Sequence, residues 1–411
     1  MRREKQRQES GERKEEWYRR KVLEQIDLSR DLEDEELKEL IHQVLLKGAQ
    51  TEYLPLEEKV RLSRDLFNTF RKLDLLQELL EDEEITEIMI NGTSGIFLEK
   101  NGRIYKSDKY FVSAGKLEDV IRQMVSGANR YVNEAVPIAD TRLQDGSRVN
   151  IVLAPVAVNG PAVTIRKFPK ERITMDRLLE IGSINEEIKT FLNKLVRSKY
   201  NIFISGGTGA GKTTFLNALS QFIPSDERII TIEDNAELQI QGIENLVSLE
   251  ARRANLEGEG EITIRDLIKT ALRMRPDRLI VGEVRGGEAV DLLQAYNTGH
   301  AGGLSTGHAN SPEDMLNRLE TMTLMGMDLP LPAIQRQIAS AIDIIIHLGR
   351  LPDKSRKVLE IAEVIGYQEE KIQTRTLYRF KEEERRNEKI YGQLVKENEL
   401  FHREKLLEAG Y

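Results

Sequence analysis

NIFISGGTGAGKTTFLN, residues 201–217, places an apolar run, a glycine-rich loop and a helix-forming segment one after another. Asn201–Ser205 has the short apolar pattern of a buried parallel strand, and apolar side chains recur at helical spacing from Lys212 onward. Gly206–Thr213 lies between these two segments and matches G-x-x-x-x-G-K-[ST] at every position. Because a strand precedes the loop and a helix follows it, the motif predicts a phosphate-binding loop rather than a chance glycine turn.

Each part of this loop has a predicted task at a bound nucleotide. Glycines let consecutive backbone N–H groups approach phosphate oxygens, and the following helix adds its N-terminal donors and the positive end of its dipole. Lys212 is predicted to reach the β- and γ-phosphates, and the Thr213 hydroxyl to bind Mg²⁺, so ATP and Mg²⁺ are the expected ligands. The predicted nucleotide-binding residues of the loop are Gly206, Gly207, Thr208, Gly209, Ala210, Gly211, Lys212, Thr213 and Thr214.

Length and composition indicate which classes of protein this chain can belong to. The chain has 411 residues, enough for two or three domains, and its net charge of −8 disfavours a polyanion as the main partner. It contains no cysteine, which excludes disulfides and thiolate zinc sites and is compatible with a cytoplasmic protein. No apolar run approaches the ~20 residues of a spanning helix, and the N-terminus lacks the apolar core of a signal peptide. We therefore expect a soluble protein that meets a membrane only by docking.

The patterns along the chain predict an α/β protein with several regions. Residues 1–80 are predicted to form a charged helical extension or bundle, and residues 81–168 an α+β domain. Residues 169–184 are predicted to be a linker. Residues 185–411 alternate strands with helices, which predicts a parallel sheet with right-handed crossovers, followed by a strand pair and a short closing helix.

Polar clusters follow the predicted strands of this sheet, at the edge where ligands of parallel sheets bind. The second strand ends in Ile232-Glu-Asp-Asn-Ala-Glu237. Glu233 in this cluster is predicted to bind Mg²⁺ through water or to orient the attacking water. The alternative is a helix N-terminus capped by Asp234 or Asn235.

The third strand ends in Leu279-Ile-Val-Gly-Glu283. An apolar strand that ends in an acid resembles the second nucleotide-binding motif of P-loop enzymes, but glycine stands at position 282, where an aspartate is expected. Glu283 is predicted to polarise the water that attacks the γ-phosphate. The alternative is a simple ion pair between Glu283 and Arg285.

Two of the five histidines lie on the next glycine-rich segment, Thr298–Asn310. A metal site is disfavoured because no cysteine or nearby carboxylate completes a ligand shell. We predict instead that His300 and His308 lie near the γ-phosphate and distinguish ATP from ADP.

The segments GGTGAGKT, ITIEDNAEL, LRMRPDRLIVGEVRG and TGHAGGLSTGHANS, in this order, resemble the four signature boxes of the secretion ATPase superfamily. That superfamily powers type II secretion, type IV pili and type IV secretion. The segments DEEITEIMING, ADTRLQDGSRVN and RRANLEGEGEITIRDLIKTALRMRPD are similar to the CpaF-like branch, which drives Tad-type pilus assembly. The resemblance runs from about residue 80 to the C-terminus.

This resemblance implies a RecA-like ATPase domain behind an α+β N-terminal domain, in a homo-hexamer with ATP between the two domains. It implies that Lys212, Glu233 and Glu283 are catalytic, that Thr213 and Glu233 bind Mg²⁺, and that His300 and His308 form the His box. It also implies an integral membrane platform protein as partner and a location at the inner face of the cytoplasmic membrane. The four-cysteine zinc insert of many type II members is excluded because the chain has no cysteine.

Arginines of the N-terminal domain close onto the phosphates in the resembled family, and Arg142 and Arg148 are the candidates here. Surface ion pairs are the alternative for both. Two other functions stay open. A RecA-like nucleic-acid translocase requires a basic, aromatic-lined channel, which the acidic balance and the aromatic content of 6% disfavour. A non-hydrolysing docking scaffold would keep Lys212 and lose the acids, whereas Glu233 and Glu283 are both present.

Overall fold

The computed structural model of the protein describes residues 14, 16–26, 32–51, 53–100, 102–111, 113–126, 132–168, 173–252, 254, 258–386 and 388–411. The chain divides into two compact units, Met1–Lys170 and Glu171–Tyr411. Residues 1–13 of the predicted extension and 169–172 of the predicted linker lie outside the described residues. Within the described ranges, no helix is both long enough and apolar enough to cross a bilayer.

The N-terminal unit begins with helices and continues with an antiparallel sheet. Its helices include Asp34–Thr51, Leu56–Arg71, Leu76–Glu81 and Ala114–Ser126. Leucines and isoleucines of the first two helices, among them Ile41 and Leu66, share one buried cluster, because apolar residues recur on one face of each helix. These helices therefore pack against one another through a shared apolar core.

The sheet of this unit has six strands in the order β3-β2-β1-β6-β5-β4, all antiparallel. The strands are β1 (Ile85–Asn91), β2 (Ile96–Lys100), β3 (Arg103–Lys106), β4 (Ile138–Arg142), β5 (Arg148–Val152) and β6 (Ala162–Arg166). Alternate side chains of β1, such as Ile88 and Ile90, are buried in one core with Leu117 and Ile121 of helix Ala114–Ser126. The alternation gives the sheet one buried face, as an α+β domain requires.

The C-terminal unit contains one nine-stranded sheet in the order β15-β14-β13-β12-β7-β11-β10-β8-β9. Its strands are β7 (Ile202–Gly206), β8 (Ile229–Glu233), β9 (Leu246–Glu250), β10 (Arg278–Val281), β11 (Leu304–His308), β12 (Ile344–Arg350), β13 (Arg356–Gln368), β14 (Lys371–Arg386) and β15 (Lys389–Lys396). Its helices include Met175–Glu180, Glu186–Arg197, Lys212–Ser220, Ile264–Ala271, Ala289–Asn297, Pro312–Gly326, Leu331–Ala341 and Glu404–Glu408.

Six neighbouring strands of this sheet, β12-β7-β11-β10-β8-β9, run parallel, and β7 lies between β11 and β12. Side chains of β7 alternate between two cores: Ile202 and Ile204 enter one, and Phe203 enters the other. Since both faces are covered, β7 begins with three consecutive apolar residues, Ile202 to Ile204, and this run makes the strand recognisable in the sequence.

Two parts of this unit differ from the prediction. Three antiparallel strands, β13 to β15, extend the sheet where a strand pair was predicted. Many of the residues of β14 and β15 are charged and exposed, and this polar composition hides the strands in the sequence. In addition, Met175–Glu180, inside the predicted linker, is a helix capped by Thr174, with Met175 and Leu178 buried in the core of the unit.

Arg278, the first residue of β10, is fully buried. Replacing it tests how much its ion pair contributes to the stability of the protein. Its guanidinium donates to both carboxylate oxygens of Glu227, one at 3.0 Å, and to the carbonyl of Gly302 at 3.2 Å. We expect Arg278→Met to lower the free energy of unfolding by about 3–5 kcal/mol, because it leaves the Glu227 carboxylate buried without its main partner. Urea denaturation followed by circular dichroism measures this loss.

The double variant Arg278→Met/Glu227→Leu is the control, since it removes both charges and should recover most of the loss. A single variant that unfolds at the wild-type urea concentration would show that the pair contributes nothing to stability.

Candidate nucleotide-binding site

The glycine-rich loop lies between the end of β7 and helix Lys212–Ser220, as the sequence predicts. A Cβ on Gly206 would lie 2.5 Å from the carbonyl oxygen of Leu348, so no side chain fits there. Gly209 and Gly211 have φ values of +72° and +92°, in the left-handed region that favours glycine. The loop therefore requires glycine at these positions to turn its backbone into the helix N-terminus.

Lys212 is buried at the centre of the loop. Its Nζ donates to the carbonyl oxygens of Gly206 and Gly207, each at 3.1 Å, and lies 3.2 Å from Nδ1 of His308. An ammonium group in this position, beside the N-terminal amides of a helix, gives the site the positive potential that a polyphosphate requires.

Glu233 ends β8 with a buried carboxylate. It accepts hydrogen bonds from the backbone N–H groups of Glu237 at 2.8 Å and Leu238 at 3.0 Å. Residues 234–245 form bends and irregular backbone with no helix, so the alternative of a capped helix at this point is wrong. Glu233 itself orders the turn that leaves the strand.

The side chain of Glu233 also explains the glycine at position 282. β8 and β10 are parallel neighbours, and a Cβ on Gly282 would lie 2.8 Å from Cγ of Glu233. The carboxylate of Glu233 therefore occupies the space that a side chain at position 282 would need. The aspartate expected at position 282 is thus absent, and the adjacent strand places the Glu233 carboxylate beside that position.

Glu283 lies just beyond β10 and contacts two cationic or titratable groups. Its Oε1 is 3.2 Å from Nε2 of His308, and its Oε2 is 3.5 Å from the guanidinium of Arg285. Arg285 makes its shorter contact, 2.7 Å, with Asp234. The Arg285 ion pair proposed as the alternative exists, but the contact with His308 connects Glu283 to the loop.

His308 bridges Lys212 and Glu283, and its charge follows from its surroundings. Burial, and next the positive charge of Lys212, lower the pKa of His308 below its usual 6.5, while Glu283 opposes the shift. The imidazole is therefore neutral at pH 7. Since Lys212 can only donate, Nδ1 accepts from it and Nε2–H donates to Glu283, which fixes the tautomer from the hydrogen-bond network.

His300 is not brought to this cluster within the unit. It precedes β11, whose first residue Leu304 pairs with Ile202 at the start of β7, whereas His308 pairs with Gly206 at the end of β7. The length of the strand therefore separates the two histidines. The prediction of a shared role for the two histidines rested on their position in one glycine-rich segment, and within this unit the strand places His308, but not His300, beside Lys212.

Arg142 and Arg148 lie in the N-terminal unit, where they pair across the β4–β5 turn. Asp145 orders this turn by accepting hydrogen bonds from the backbone N–H and the hydroxyl of Ser147, both at 2.9 Å. The hairpin holds the two arginines side by side. Their contribution to a phosphate site stays a prediction.

The structure also brings to the loop two arginines that were not predicted, Arg350 and Arg356. Nε of Arg356 donates to the carbonyl oxygen of Gly209 at 2.8 Å. Nη1 of Arg350 lies 3.9 Å from the position of a Cβ on Gly209. The only signal in the sequence is a pair of arginines flanking the turn Leu351–Ser355.

The residues present fit ATP and Mg²⁺. The loop supplies a buried ammonium, glycines in the left-handed region and a helix N-terminus, and Thr213 lies in the first turn of that helix. Within the described parts of the chain, no cluster of three His, Asp or Glu side chains forms a metal site by itself. Mg²⁺ usually shares its ligands between a few protein oxygens, phosphates and water. Thr213 and Glu233 are the side chains that would hold it.

Comparison with known proteins agrees with this geometry. The family model of the type II/IV secretion system protein matches residues 71–400. The chain belongs to this family. A putative conjugal transfer protein of Mycobacterium tuberculosis is 35% identical over 310 residues, which cover 74% of this chain and 87% of the relative. The type IV secretion system protein VirB11 of Brucella suis is 31% identical over 307 residues, 67% of this chain and 84% of that protein.

Among solved structures, the ATPase DotB of Legionella pneumophila is similar with a TM-score of 0.50 and 24% identity, and the match covers 72% of this chain and 80% of that chain. This similarity supports the fold. The prediction of a secretion ATPase with an α/β P-loop domain behind an N-terminal domain is therefore confirmed.

The packing of Glu233 over Gly282 can be tested directly. Gly282→Ala would push the Glu233 carboxylate away from its two backbone donors, because the new Cβ lies within 3 Å of Cγ. We expect ATP turnover to fall by about 10- to 100-fold, the size of effect that a misplaced catalytic group produces. Gly115→Ala is the matched control, since a Cβ there meets nothing within 4 Å. Wild-type turnover by Gly282→Ala would contradict the close packing.

The lowered pKa of His308 predicts a dependence of stability on pH. Below about pH 6.5 the unfolded chain binds a proton at this histidine that the folded protein takes up only at lower pH, so stability falls as the pH decreases. In His308→Gln this contribution disappears, and its melting temperature should fall less than that of the wild type between about pH 7 and pH 5. Burial also lowers the pKa of His347, which is present in both proteins and cancels in the comparison. An equal fall in both proteins would contradict the shift at His308.

Proposed function

We propose that this secretion ATPase is a hexameric, cytoplasmic motor at the inner face of the membrane, which couples ATP hydrolysis to Tad-type pilus assembly or protein secretion through a membrane platform protein. The continuous contact from Lys212 through His308 to Glu283 supports the proposal. It connects the phosphate-binding amine to the acid that would act on water. A nucleotide-switched scaffold without hydrolysis would not need that connection.

The residues of the chain contribute to hydrolysis by positioning and by charge stabilisation. The loop amides and Lys212 bind the phosphates. Glu283 orients the attacking water and accepts its proton, while His308 donates Nε2–H to Glu283 and fixes the direction of the carboxylate. Mg²⁺ held by Thr213 and Glu233 would neutralise charge on the phosphate oxygens.

The N-terminal domain supplies the motion in this proposal. ATP binding draws the two domains of each subunit together, with Arg142 and Arg148 contacting the phosphates, and hydrolysis with product release lets them open. A ring of such subunits would pass this movement to the platform protein, which lifts pilin or exported protein from the bilayer.

A RecA-like nucleic-acid translocase is the second candidate. A relative of this chain is named a putative conjugal transfer protein. This name is the reason to test whether DNA is the substrate of the motor. Direct transport along DNA predicts strong stimulation of ATP turnover by single strands, because the strand is then the substrate of the motor.

The decisive experiment measures ATP turnover and mass in solution for the wild type, Lys212→Ala, Glu283→Gln and the matched control Glu244→Gln, whose exposed side chain lies in the same unit. We expect a hexamer with ATP, no binding by Lys212→Ala, and binding with turnover lowered by at least about 100-fold in Glu283→Gln. Glu244→Gln should match the wild type.

Added phospholipid or platform protein should raise turnover, and single-stranded DNA should not. Strong stimulation by DNA would favour the translocase. Wild-type turnover by Glu283→Gln would exclude Glu283 as the catalytic acid.

A further inference from the structure

The hairpin that joins β12 to β13 reaches the phosphate loop from the side opposite β11. β12 pairs with β7 from Ile344–Ile202 through Leu348–Gly206. It then continues to Arg350, which pairs with Arg356 at the start of β13. Because strand pairing fixes this register, both arginines extend past the end of β7 at the level of the loop.

Both side chains lie near loop glycines that have left-handed φ values, Gly209 and Gly211. Nε of Arg356 donates to the carbonyl of Gly209 at 2.8 Å, and its Cδ lies 3.3 Å from the position of a Cβ on Gly211. Nη1 of Arg350 is 3.9 Å from the position of a Cβ on Gly209. A side chain at Gly211 would therefore meet both an unfavourable backbone conformation and the arginine.

The hairpin is held firmly by its own turn and by a neighbouring strand. Asp353 accepts from the backbone N–H of Ser355 and from that of Ile390 on β15, each at 2.9 Å. The hydroxyl of Ser183 donates to the carbonyl of Arg356 at 2.7 Å. With the backbone fixed at these points, directing a guanidinium to a ligand loses less conformational entropy than it would on a free loop.

The order of strands determines which part of a nucleotide these arginines face. Glu283 follows β10 and His308 ends β11 on one side of β7, and the hairpin lies on the other side. A triphosphate with its terminal phosphate beside Glu283 must pass over the loop, so its inner phosphates come closest to the hairpin. Guanidinium groups suit this position because they bind phosphate oxygens with paired, charge-assisted hydrogen bonds.

We propose that Arg350 and Arg356 bind the α- and β-phosphates of the nucleotide, and that the C-terminal strands thereby take part in nucleotide binding. This inference rests on the proposed nucleotide site. Nucleoside diphosphates and triphosphates are both ligands of the pair, in contrast to Glu283, which acts only at the terminal phosphate. The nucleotide then connects the loop to β13, β14 and β15 through the hairpin.

The test is the dissociation constant of the full-length protein for ADP and for ATP, measured by displacement of a fluorescent ADP analogue. Arg350→Ala and Arg356→Ala should each weaken both ligands by about tenfold, the contribution of one charge-assisted hydrogen bond. Steady-state kinetics should show the loss in KM more than in kcat. Arg356→Lys, which keeps the charge, should recover part of the affinity.

Lys354→Asn is the matched control, because it removes a positive charge from the same turn. Lys354 has a φ of +70°, a conformation that asparagine tolerates well, so this variant should bind nucleotide like the wild type. Equal losses in Lys354→Asn and in the arginine variants would indicate a general effect of charge and overturn the proposal.

The remaining outcomes separate this inference from the proposed function. If Lys212→Ala abolishes binding while both arginine variants bind normally, the arginines have no role at the phosphates and the ATPase stands. If Lys212→Ala binds normally, the nucleotide site itself is wrong. A lowered melting temperature of nucleotide-free Arg356→Ala without rescue by Arg356→Lys would show that Arg356 only holds the loop, which also overturns the proposal.

Discussion

The parallel pairing of β7 with both of its neighbours determines the rest of the site. Gly206, the last residue of β7, pairs with His308 on one side and with Leu348 on the other. This register brings the His308 imidazole to Lys212 and brings the arginine hairpin to the loop. A slip of one residue in either pair would turn every side chain of that strand to the opposite face of the sheet, so the buried cores fix the chemistry as well as the fold.

The carboxylates follow the same logic of neighbouring strands. Position 282 directly follows β10 and holds glycine, while the parallel neighbour β8 ends in Glu233. Two positions that are distant in sequence thus constrain one another, because the side chain of Glu233 fills the space that a Cβ at position 282 would need. The parallel pairing of β8 with β10 brings Glu233 and Gly282 next to each other, and this contact accounts for both residues.

The sequence predicted what local pattern encodes and missed what pairing between distant strands creates. The phosphate loop, β7, β8, β10 and the helices between them were predicted because apolar runs, helical spacing and a contiguous motif are local signals. The strands β13 to β15 carry many charged side chains, so their pattern is weak. Arg350 and Arg356 lie far from the loop along the chain, and only the position of β12 beside β7 brings them there. His300 illustrates the opposite case, because it shares a glycine-rich segment with His308 but precedes β11, whereas His308 is the last residue of that strand.

The hydrogen bonds of Lys212 are contacts that a bound nucleotide would change. An ammonium group has three N–H donors, and Lys212 directs them to Gly206, Gly207 and His308. A phosphate oxygen that binds Lys212 must share or replace one of these acceptors. If the bond to His308 is the one exchanged, Nδ1 loses its donor while Nε2–H remains directed to Glu283. In the proposed function, the contacts that Lys212 makes with the loop and with His308 are therefore the ones that a bound nucleotide would rearrange.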